Sequence, residues 1–406
     1  MSRLRVLTVG HPYCVAANRG LAREVAKDPD FEVTVAAPSF FYGDLRRIFL
    51  EPEPAGSPLR LVPLKTRFSR FIHVFHYDHA ALKALIRNGG FDIIHAWEEP
   101  YVLAGYQIAK ASADSPARFC FRTDQNQVKR YPPPFNRFER TVLKRSQAWI
   151  AGASLVYQAM LDKGFPKSSG RIVNYSVDLD DFQPMPAQAR APLLDELGLE
   201  PPVIGFMGRL TPAKGLDVLM QAMERIGGAR PWSLLFLGSG EYENKVREWA
   251  ARHGWSKRVQ VKLVKHSEVP PYLAAMDVLV APSQTVKNWK EQFGRMIIEA
   301  FACGVPVIGS DSGEIPFVIG DAGRVVAEAD VPAWAEAIQQ LLDSPASRDE
   351  LRDRGLARAP LYSVAAIAKQ WADCYRWLAG QSLQPEAGQY AGQIRSSIGK
   401  YETKGH

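Results

Sequence analysis

The chain has 406 residues and a formal net charge of +7 at pH 7, with 46% hydrophobic and 23% charged residues. This length exceeds what one hydrophobic core normally supports, so we expect two domains, and the ordinary composition excludes disorder over most of the chain. The mild positive charge allows phosphate-bearing small molecules or an anionic membrane as partners, but it does not indicate a nucleic-acid-binding protein.

Apolar segments and cysteines indicate the compartment. No apolar run approaches the roughly 18 residues that a membrane-spanning helix needs, and the first one, residues 4–9, is too short for a signal peptide. The four cysteines show no paired or metal-ligand spacing, which is typical of buried thiols in a reducing compartment. We therefore expect a cytoplasmic protein, soluble or attached peripherally to the inner face of a membrane.

Short apolar strands alternate with helical stretches such as residues 19–27 and 79–88, which is typical of a parallel sheet covered on both faces. The first series of predicted strands is 5–9, 32–36, 59–63, 92–96, 118–121 and 148–151. The second series is 203–207, 233–237, 259–263, 278–281, 305–309 and 323–325. The sequence thus predicts an α/β protein with two Rossmann-like domains.

Two segments near the C-terminus differ in character. Residues 363–380 carry apolar side chains at helical spacing and are predicted to form the last helix. Residues 381–406 are rich in Gly, Ser and Gln and lack an apolar face, so we predict that this tail is mobile.

Two glutamates, Glu291 and Glu299, lie on either side of a turn and the first turns of a helix. Gly294 suits the chain reversal, and a helix entered in this way presents free backbone N–H groups that favour an anion such as a diphosphate. Glu299 could then bind a pair of hydroxyls such as those of a ribose, and Glu291 could reach the far end of the same ligand. Ordinary helices also carry two Glu eight positions apart, so the spacing alone does not establish a site.

Two cations follow the predicted strand at 203–207. Arg209 and Lys214 can lie together at its carboxyl end, where open α/β sheets bind ligands. Two further strands of the series are followed by Gly238 and Pro282. The Gly-x-Gly at 238–240 lacks the third glycine and the acidic partner of a dinucleotide fingerprint, so it indicates a turn.

The ordered set of these motifs resembles the nucleotide-sugar half of the retaining GT-B glycosyltransferases of family 4. The set is Gly-Arg-Leu-x-x-x-Lys-Gly at 208–215, Gly-x-Gly at 238–240, Pro-Ser at 282–283, Glu-x7-Glu at 291–299 and Gly-x-Pro-Val-Ile at 304–308. The resemblance implies a GT-B fold with two Rossmann-like domains facing each other across a cleft.

The resemblance also implies what each domain does. Residues 1–175 would form the acceptor domain, with the helix at 363–380 packing back on it, and residues 176–362 would bind the nucleotide sugar. The implied activity is a metal-independent, retaining transfer of a sugar from a UDP- or GDP-sugar to a glycan, lipid-linked or small-molecule acceptor, without a cofactor.

The family pattern assigns roles to the matching residues. Arg209 and Lys214 would neutralise the departing diphosphate, since cations aimed at growing negative charge favour the transition state. Glu291 would bind the hydroxyls of the donor sugar and Glu299 the ribose. The rest of the nucleotide site would be formed by Gly208, Gly238, Pro282, Phe293 and Gly294.

The first domain departs from the family pattern. Residues 10–13, Gly-His-Pro-Tyr, replace the usual Gly-Gly turn, and no His follows the strand at 118–121. Gln125 or Asn126 would take the place of that His as a hydrogen-bond partner. Because amides cannot act as general bases at neutral pH, a mechanism with the leaving phosphate as base is favoured.

His95 at the end of the strand at 92–96 and Glu99 just after that strand are further candidates. His95 is either catalytic or structural, and Glu99 would contact the acceptor. Asp178 and Asp180 have the Asp-x-Asp spacing of metal-binding glycosyltransferases, but they lie in the predicted interdomain connector, so we predict no metal site.

Basic and aromatic residues interleave between residues 60 and 75. This pattern is typical either of contact with an anionic membrane that carries a lipid-linked acceptor or of solvated arginines beside buried phenylalanines.

Other functions fit part of the same pattern. A sugar-nucleotide epimerase or a glycan phosphorylase on the same fold would keep the nucleotide or phosphate site, since fold alone does not determine chemistry. A non-catalytic subunit that binds sugar nucleotides or glycans is the alternative from another class.

Overall fold

The structure is a computed structural model that describes residues 3–43 and 47–382. The chain divides into two compact units: unit 1 comprises Met1–Asn174 and Val364–His406, and unit 2 comprises Tyr175–Ser363. Apart from its first two residues, the tail predicted to be mobile lies outside the described residues.

Unit 1 contains a seven-stranded parallel sheet with the order β11-β10-β9-β8-β1-β2-β5. Its strands are β1 (Leu4–Val9), β2 (Phe31–Pro38), β5 (Arg60–Leu64), β8 (Ile93–Ala96), β9 (Arg118–Thr123), β10 (Ala148–Ala151) and β11 (Gly170–Ile172). Every residue of β8 and β10 is buried, as expected for central strands covered on both faces.

Two short antiparallel pairs accompany this sheet. They are β3 (Phe40–Tyr42) with β4 (Arg47–Phe49), and β6 (Thr66–Arg67) with β7 (His76–Tyr77). The helices of the first segment of unit 1 are α1 (Gly20–Lys27), α2 (His79–Asn88), α3 (Leu103–Ser112), α4 (Phe135–Arg145) and α5 (Ser154–Asp162).

Unit 2 contains a six-stranded parallel sheet with the order β14-β13-β12-β15-β16-β17. Its strands are β12 (Val203–Met207), β13 (Ser233–Leu237), β14 (Val259–Lys262), β15 (Val278–Ala281), β16 (Val307–Ser310) and β17 (Arg324–Val326). Its helices are α6 (Ala187–Leu197), α7 (Leu216–Ile226), α8 (Glu243–Arg252), α9 (Val269–Ala274), α10 (Arg295–Ala302), α11 (Ile315–Ile319), α12 (Val331–Asp343) and α13 (Pro345–Arg358).

The last helix, α14 (Val364–Leu378), belongs to unit 1. Trp371 and Tyr375 are buried in the same core cluster as Phe31 of β2. Arg376 donates hydrogen bonds to Asp28 and Asp30 in the turn before β2, at 2.6 and 3.1 Å. Apolar burial and these charge-assisted bonds therefore hold α14 on the unit that the start of the chain forms.

The observed sheets confirm the predicted fold class of two Rossmann-like α/β domains, and each predicted strand begins and ends within two residues of an observed one. The prediction omitted β11 and the two antiparallel pairs, which are only two or three residues long in each strand. Among the helices of the described part of the chain, none is both long and apolar enough to cross a bilayer.

Candidate active site

The sheet of unit 2 has a topological switch point between β12 and β15. β13 and β14, which come next after β12 in the chain, lie beyond β12 on one side. β16 and β17, which come after β15, lie beyond β15 on the other. Loops after these two strands diverge, and open parallel sheets bind ligands in the crevice that this divergence leaves. Arg209 and Lys214 follow β12, and Glu291 lies between β15 and α10, so the switch point brings these three predicted residues to one edge.

Lys214 and Glu291 form an ion pair at this edge. Lys214 ends a short 3-10 helix, Pro212–Lys214, and its Nζ donates to Glu291 Oε2 at 2.5 Å. Ser283 Oγ donates to the same oxygen at 2.8 Å. The side chains of Lys214 and Glu291 are only 14% and 9% exposed, so the pair is partly shielded from solvent and holds its geometry.

An open cavity of about 430 Å³ adjoins this pair. The exposed Arg209 and the half-buried Arg295 also line it, so with Lys214 three side-chain cations face one cavity. Its lining residues come from the connector before β12, the end of β12 and the loop after it, the 3-10 helix before α9, the loop after β15 and α10: Tyr175, Met207, Gly208, Arg209, Lys214, His266, Trp289, Glu291, Gln292, Phe293, Gly294, Arg295, Met296 and Glu299.

The turn before α10 depends on Gly294 and Phe293. Gly294 has φ of 85°, a conformation that L side chains rarely adopt, and a Cβ there would lie 2.9 Å from Ile297 Cδ1. Phe293 is 3% exposed and packs against Tyr175 and Tyr362, with ring centroids 5.3 and 5.9 Å away. The buried ring of Phe293 and the left-handed conformation of Gly294 place the first turn of α10, with its free N–H groups, beside the cavity.

Glu299 is a buried acid with unused hydrogen-bonding capacity. It is 2% exposed, and its Oε1 lies 3.7 Å from His266 Nε2 and 3.8 Å from Arg295 Nη2, too far for hydrogen bonds. Its Oε2 is buried, and none of the described residues bonds to it. A buried oxygen of this kind costs free energy unless it has a donor, so Glu299 can accept hydrogen bonds from a ligand hydroxyl.

Gly238 and Pro282 lie at the same edge of the sheet, but neither is among the described residues that line the cavity. Gly238 follows β13 and packs closely against Gly208, which follows β12. A Cβ on Gly238 would lie 2.0 Å from the carbonyl oxygen of Gly208. Pro282 accepts a hydrogen bond from Gln284 Nε2 at 2.8 Å. Both residues therefore shape the backbone around the cavity, and their predicted contact with a nucleotide stays a prediction.

His95 lies in the interior of unit 1, on β8. Its ring packs 4.5 Å from Trp371, and its Nδ1 lies 3.1 Å from the hydroxyl of Tyr375. Burial, reinforced by the charge of Arg122, lowers the pKa of His95 to about 3. The imidazole is therefore neutral near pH 7, and its predicted catalytic role stays a prediction.

The three predicted acceptor-side residues, Glu99, Gln125 and Asn126, also belong to unit 1. Glu99 accepts hydrogen bonds from Thr123 Oγ1 at 2.7 Å, the backbone N–H of Asp124 at 2.8 Å and Gln125 Nε2 at 3.0 Å. Burial, together with the charge of Asp124, raises the pKa of Glu99 to about 7. Asn126 is buried beside them, so the three residues lie at adjacent strand ends, and their contact with an acceptor stays a prediction.

The sequence reasoning missed several cavity residues, among them Trp289 and His266. Trp289 lies with its ring centre 4.8 Å from Lys214 Nζ, which favours the cation there. His266 lies before α9 and faces Glu299. No motif marks either residue, although the position of Trp289 between Pro-Ser and Glu291 was a usable signal.

Residues that could hold a metal ion do not come together in the described part of the chain. No group of three or more His, Cys, Asp or Glu there has the geometry of a metal site. The side chains of Arg209, Lys214 and Arg295 line the described cavity and can face an anion.

Comparisons with known proteins agree with this geometry. Residues 18–181 match the family described as Glycosyltransferase Family 4, and residues 195–358 match the family described as Glycosyl transferases group 1. The solved structure of a glycosyltransferase from Rickettsia africae is similar to this chain with a TM-score of 0.75 at 18% identity, and the match covers 94% of this chain and 100% of that one.

Two curated relatives match over shorter stretches. A GDP-mannose-dependent monoacylated alpha-(1-6)-phosphatidylinositol monomannoside mannosyltransferase from Corynebacterium glutamicum is 35% identical over 187 residues, 45% of this chain and 49% of the relative. A D-inositol 3-phosphate glycosyltransferase from Segniliparus rotundus is 33% identical over 225 residues, 53% of this chain and 48% of the relative. The chain thus spans about half the length of each of these relatives.

Both halves of the chain match glycosyltransferase families, and the fold is shared with a solved glycosyltransferase over nearly the whole length. The chain therefore belongs to the GT-B glycosyltransferases of the family 4 type.

Proposed function

We propose that this protein transfers a hexose-type sugar from a UDP- or GDP-sugar to a hydroxyl of a glycan, lipid-linked or small-molecule acceptor, in the cytoplasm and without a metal ion. The observation that carries the proposal is the convergence of Arg209, Lys214 and the first turn of α10 on one cavity at the switch point of unit 2. A nucleoside diphosphate is a dianion or trianion that needs this concentration of positive charge and free N–H groups.

Each end of the cavity suits a different part of the donor. Lys214, Arg209 and the α10 amides would bind the diphosphate, while the buried Oε2 of Glu299 would accept hydrogen bonds from the ribose. Glu291, already oriented by Ser283 and Lys214, would bind hydroxyls of the transferred sugar. The relative from Corynebacterium glutamicum is named as GDP-mannose-dependent, which supports a nucleoside diphosphate sugar as the donor.

The proposed reaction retains the configuration of the anomeric carbon. The acceptor oxygen bonds to that carbon while the bond to the diphosphate breaks, the electron pair leaves on the diphosphate, and a diphosphate oxygen takes the acceptor proton. Arg209 and Lys214 favour this step because they stabilise charge that grows on the leaving group. The anomeric proton of the product in an NMR spectrum reports the outcome, and an inverted product would contradict retention.

Replacing Lys214 tests the diphosphate assignment. Lys214→Gln removes the charge but leaves a donor for Glu291, so it should fold while losing at least about 100-fold in kcat/KM. The thermal shift that GDP or UDP causes in the wild type should shrink in parallel. Lys257→Ala is the matched control, because that exposed lysine precedes β14 at the opposite edge of the sheet. Wild-type turnover in Lys214→Gln would show that Lys214 does not bind the diphosphate.

Replacing Glu299 separates ribose binding from phosphate binding. Glu299→Gln should weaken GDP or UDP by about tenfold, because a charge-assisted hydrogen bond to a hydroxyl becomes a neutral one. Inorganic pyrophosphate lacks a ribose, so its affinity should stay the same in the variant. Calorimetric titration of both ligands checks this, and an equal loss for pyrophosphate would argue against a ribose contact.

Exposed aromatic residues on unit 1 favour a peripheral membrane contact as part of this function. Phe68 and Phe71, between β6 and β7, are each 62% exposed, whereas Phe75 is buried and anchors the segment. Arg67 and Arg70 are exposed beside them. Apolar rings flanked by arginines are suited to the headgroup region of an anionic bilayer, where a lipid-linked acceptor would lie.

Vesicle sedimentation tests this contact. The double variant Phe68→Ser, Phe71→Ser should bind phosphatidylglycerol vesicles about tenfold more weakly than the wild type, because two inserted rings are lost. Leu263→Ser in unit 2 is the control, since Leu263 is 65% exposed. Equal binding of the double variant and the wild type, or no binding of the wild type, would contradict the proposed contact.

A further inference from the structure

The sheet of unit 1 has a switch point of its own, between β1 and β8. β2 and β5 lie beyond β1 on one side, and β9, β10 and β11 lie beyond β8 on the other. The crevice expected at the carboxyl ends of these strands is therefore bordered by the loops after β1 and β8. His11 follows β1, and Glu98 follows β8.

His11 and Glu98 are joined across this switch point. His11 Nδ1 lies 2.7 Å from Glu98 Oε2, and the backbone N–H of His11 donates to Glu98 Oε1 at 2.6 Å. The hydroxyl of Tyr77 donates to the same Oε1 at 2.7 Å. A close approach of the strand ends makes this possible, since a Cβ on Gly10 would lie 2.8 Å from the carbonyl oxygen of Trp97.

These contacts determine the tautomer of His11. The Glu98 side chain is 1% exposed, and its Oε1 accepts hydrogen bonds from the His11 backbone and from Tyr77, so Glu98 is the acceptor in this cluster. Burial and the Glu98 carboxylate raise the pKa of Tyr77 well above its usual value, so that hydroxyl remains a donor. The proton of a neutral His11 ring therefore lies on Nδ1, and Nε2 carries a lone pair.

Two phenylalanine rings contact the ring of His11. Phe41 stacks on one face with centroids 4.7 Å apart and planes 27° apart, and Phe75 contacts the ring edge-on at 5.6 Å. The side chain is still 29% exposed, and the structure shows no hydrogen bond from any described residue to Nε2. The carboxylate, the aromatic rings and the backbone thus hold an imidazole whose lone pair remains available.

We propose that unit 1 binds a polyhydroxylated ligand, a sugar or a cyclitol, through a hydrogen bond from one of its hydroxyls to His11 Nε2. This inference rests on the proposed function, under which the ligand is the acceptor. Glu98 and Tyr77 are then positioning residues. A hydroxyl suits the site because it can donate a hydrogen bond to the Nε2 lone pair, whereas an unprotonated phosphate or carboxylate oxygen can only accept one.

In a purely structural role, the His11–Glu98 pair would only hold the ends of β1 and β8 together. The two accounts differ in what a substitution changes. If the role is only structural, substituting His11 should lower the stability of the protein without a selective effect on the acceptor. If His11 contacts the ligand, the substitution should raise the acceptor KM and leave donor binding intact. His11→Asn separates them, because its side-chain amide can still donate to Glu98 in place of Nδ1 but has no atom in the place of Nε2.

The experiment uses the full chain labelled with ¹⁵N-histidine, with myo-inositol and methyl α-mannoside as hydroxyl-rich probes. The wild-type two-bond spectrum should show His11 protonated on Nδ1, and at least one probe should shift its Nε2 signal. Glu98→Gln should weaken this tautomer preference. In turnover with the probe that shifts the signal, His11→Asn should raise the acceptor KM by about tenfold, while the thermal shift by GDP or UDP stays at the wild-type value.

His79→Asn is the matched control, since His79 is an exposed histidine at the start of α2 and should change none of these readouts. An Nε2 signal that neither probe moves, or an unchanged acceptor KM in His11→Asn, would overturn the inference. Failure of the proposed function looks different: GDP and UDP would cause no thermal shift in the wild type, while the response of His11 to a probe would remain.

Discussion

In a parallel sheet the carboxyl ends of all strands lie at one edge. The strand order determines between which two strands the following loops diverge. In unit 2 the divergence lies between β12 and β15, and in unit 1 between β1 and β8. Paired titratable side chains lie at both places: Lys214 with Glu291 in unit 2, and His11 with Glu98 in unit 1. The chemistry of the protein thus follows from where the strand order leaves a crevice.

The Lys214–Glu291 pair shows how the side chains of the proposed nucleotide-sugar site hold one another in place. Both side chains are largely shielded from solvent, and removing one partner of such a pair costs about 3 kcal/mol or more, because the other charge is left without compensation. A diphosphate would give Lys214 a second anionic partner, and sugar hydroxyls would give Glu291 new donors. The same two residues can therefore stabilise each other and also bind the proposed donor.

Sequence reasoning predicted the strands of unit 2 well, for physical reasons. Buried parallel strands are short, apolar and regularly spaced, and Arg209 and Glu291 lie in the loops that follow them, so chain order alone places both residues at one edge. Glu291 was predicted from its motif, but its bond to Lys214 spans 77 positions and required the structure.

Unit 1 was less predictable because its contacts depend on side-chain pairing between distant strand ends. His11 and Glu98 are 87 positions apart, and no motif marks either of them. His95 looked like a site residue because it ends a predicted strand, yet its ring is enclosed by Trp371 and Tyr375 of a helix nearly 280 positions later. Sequence spacing carries no information on such an enclosure.

The measurement that tests the central claim most directly is a thermal-shift screen against UDP, GDP, ADP, dTDP and CDP, with magnesium and with EDTA. A diphosphate at 100 times its dissociation constant should stabilise the protein by about 2.7 kcal/mol. We predict a clear shift with UDP or GDP that is the same in EDTA. A shift that requires magnesium, or no shift with any of the five, would contradict a metal-independent nucleotide-sugar site in unit 2.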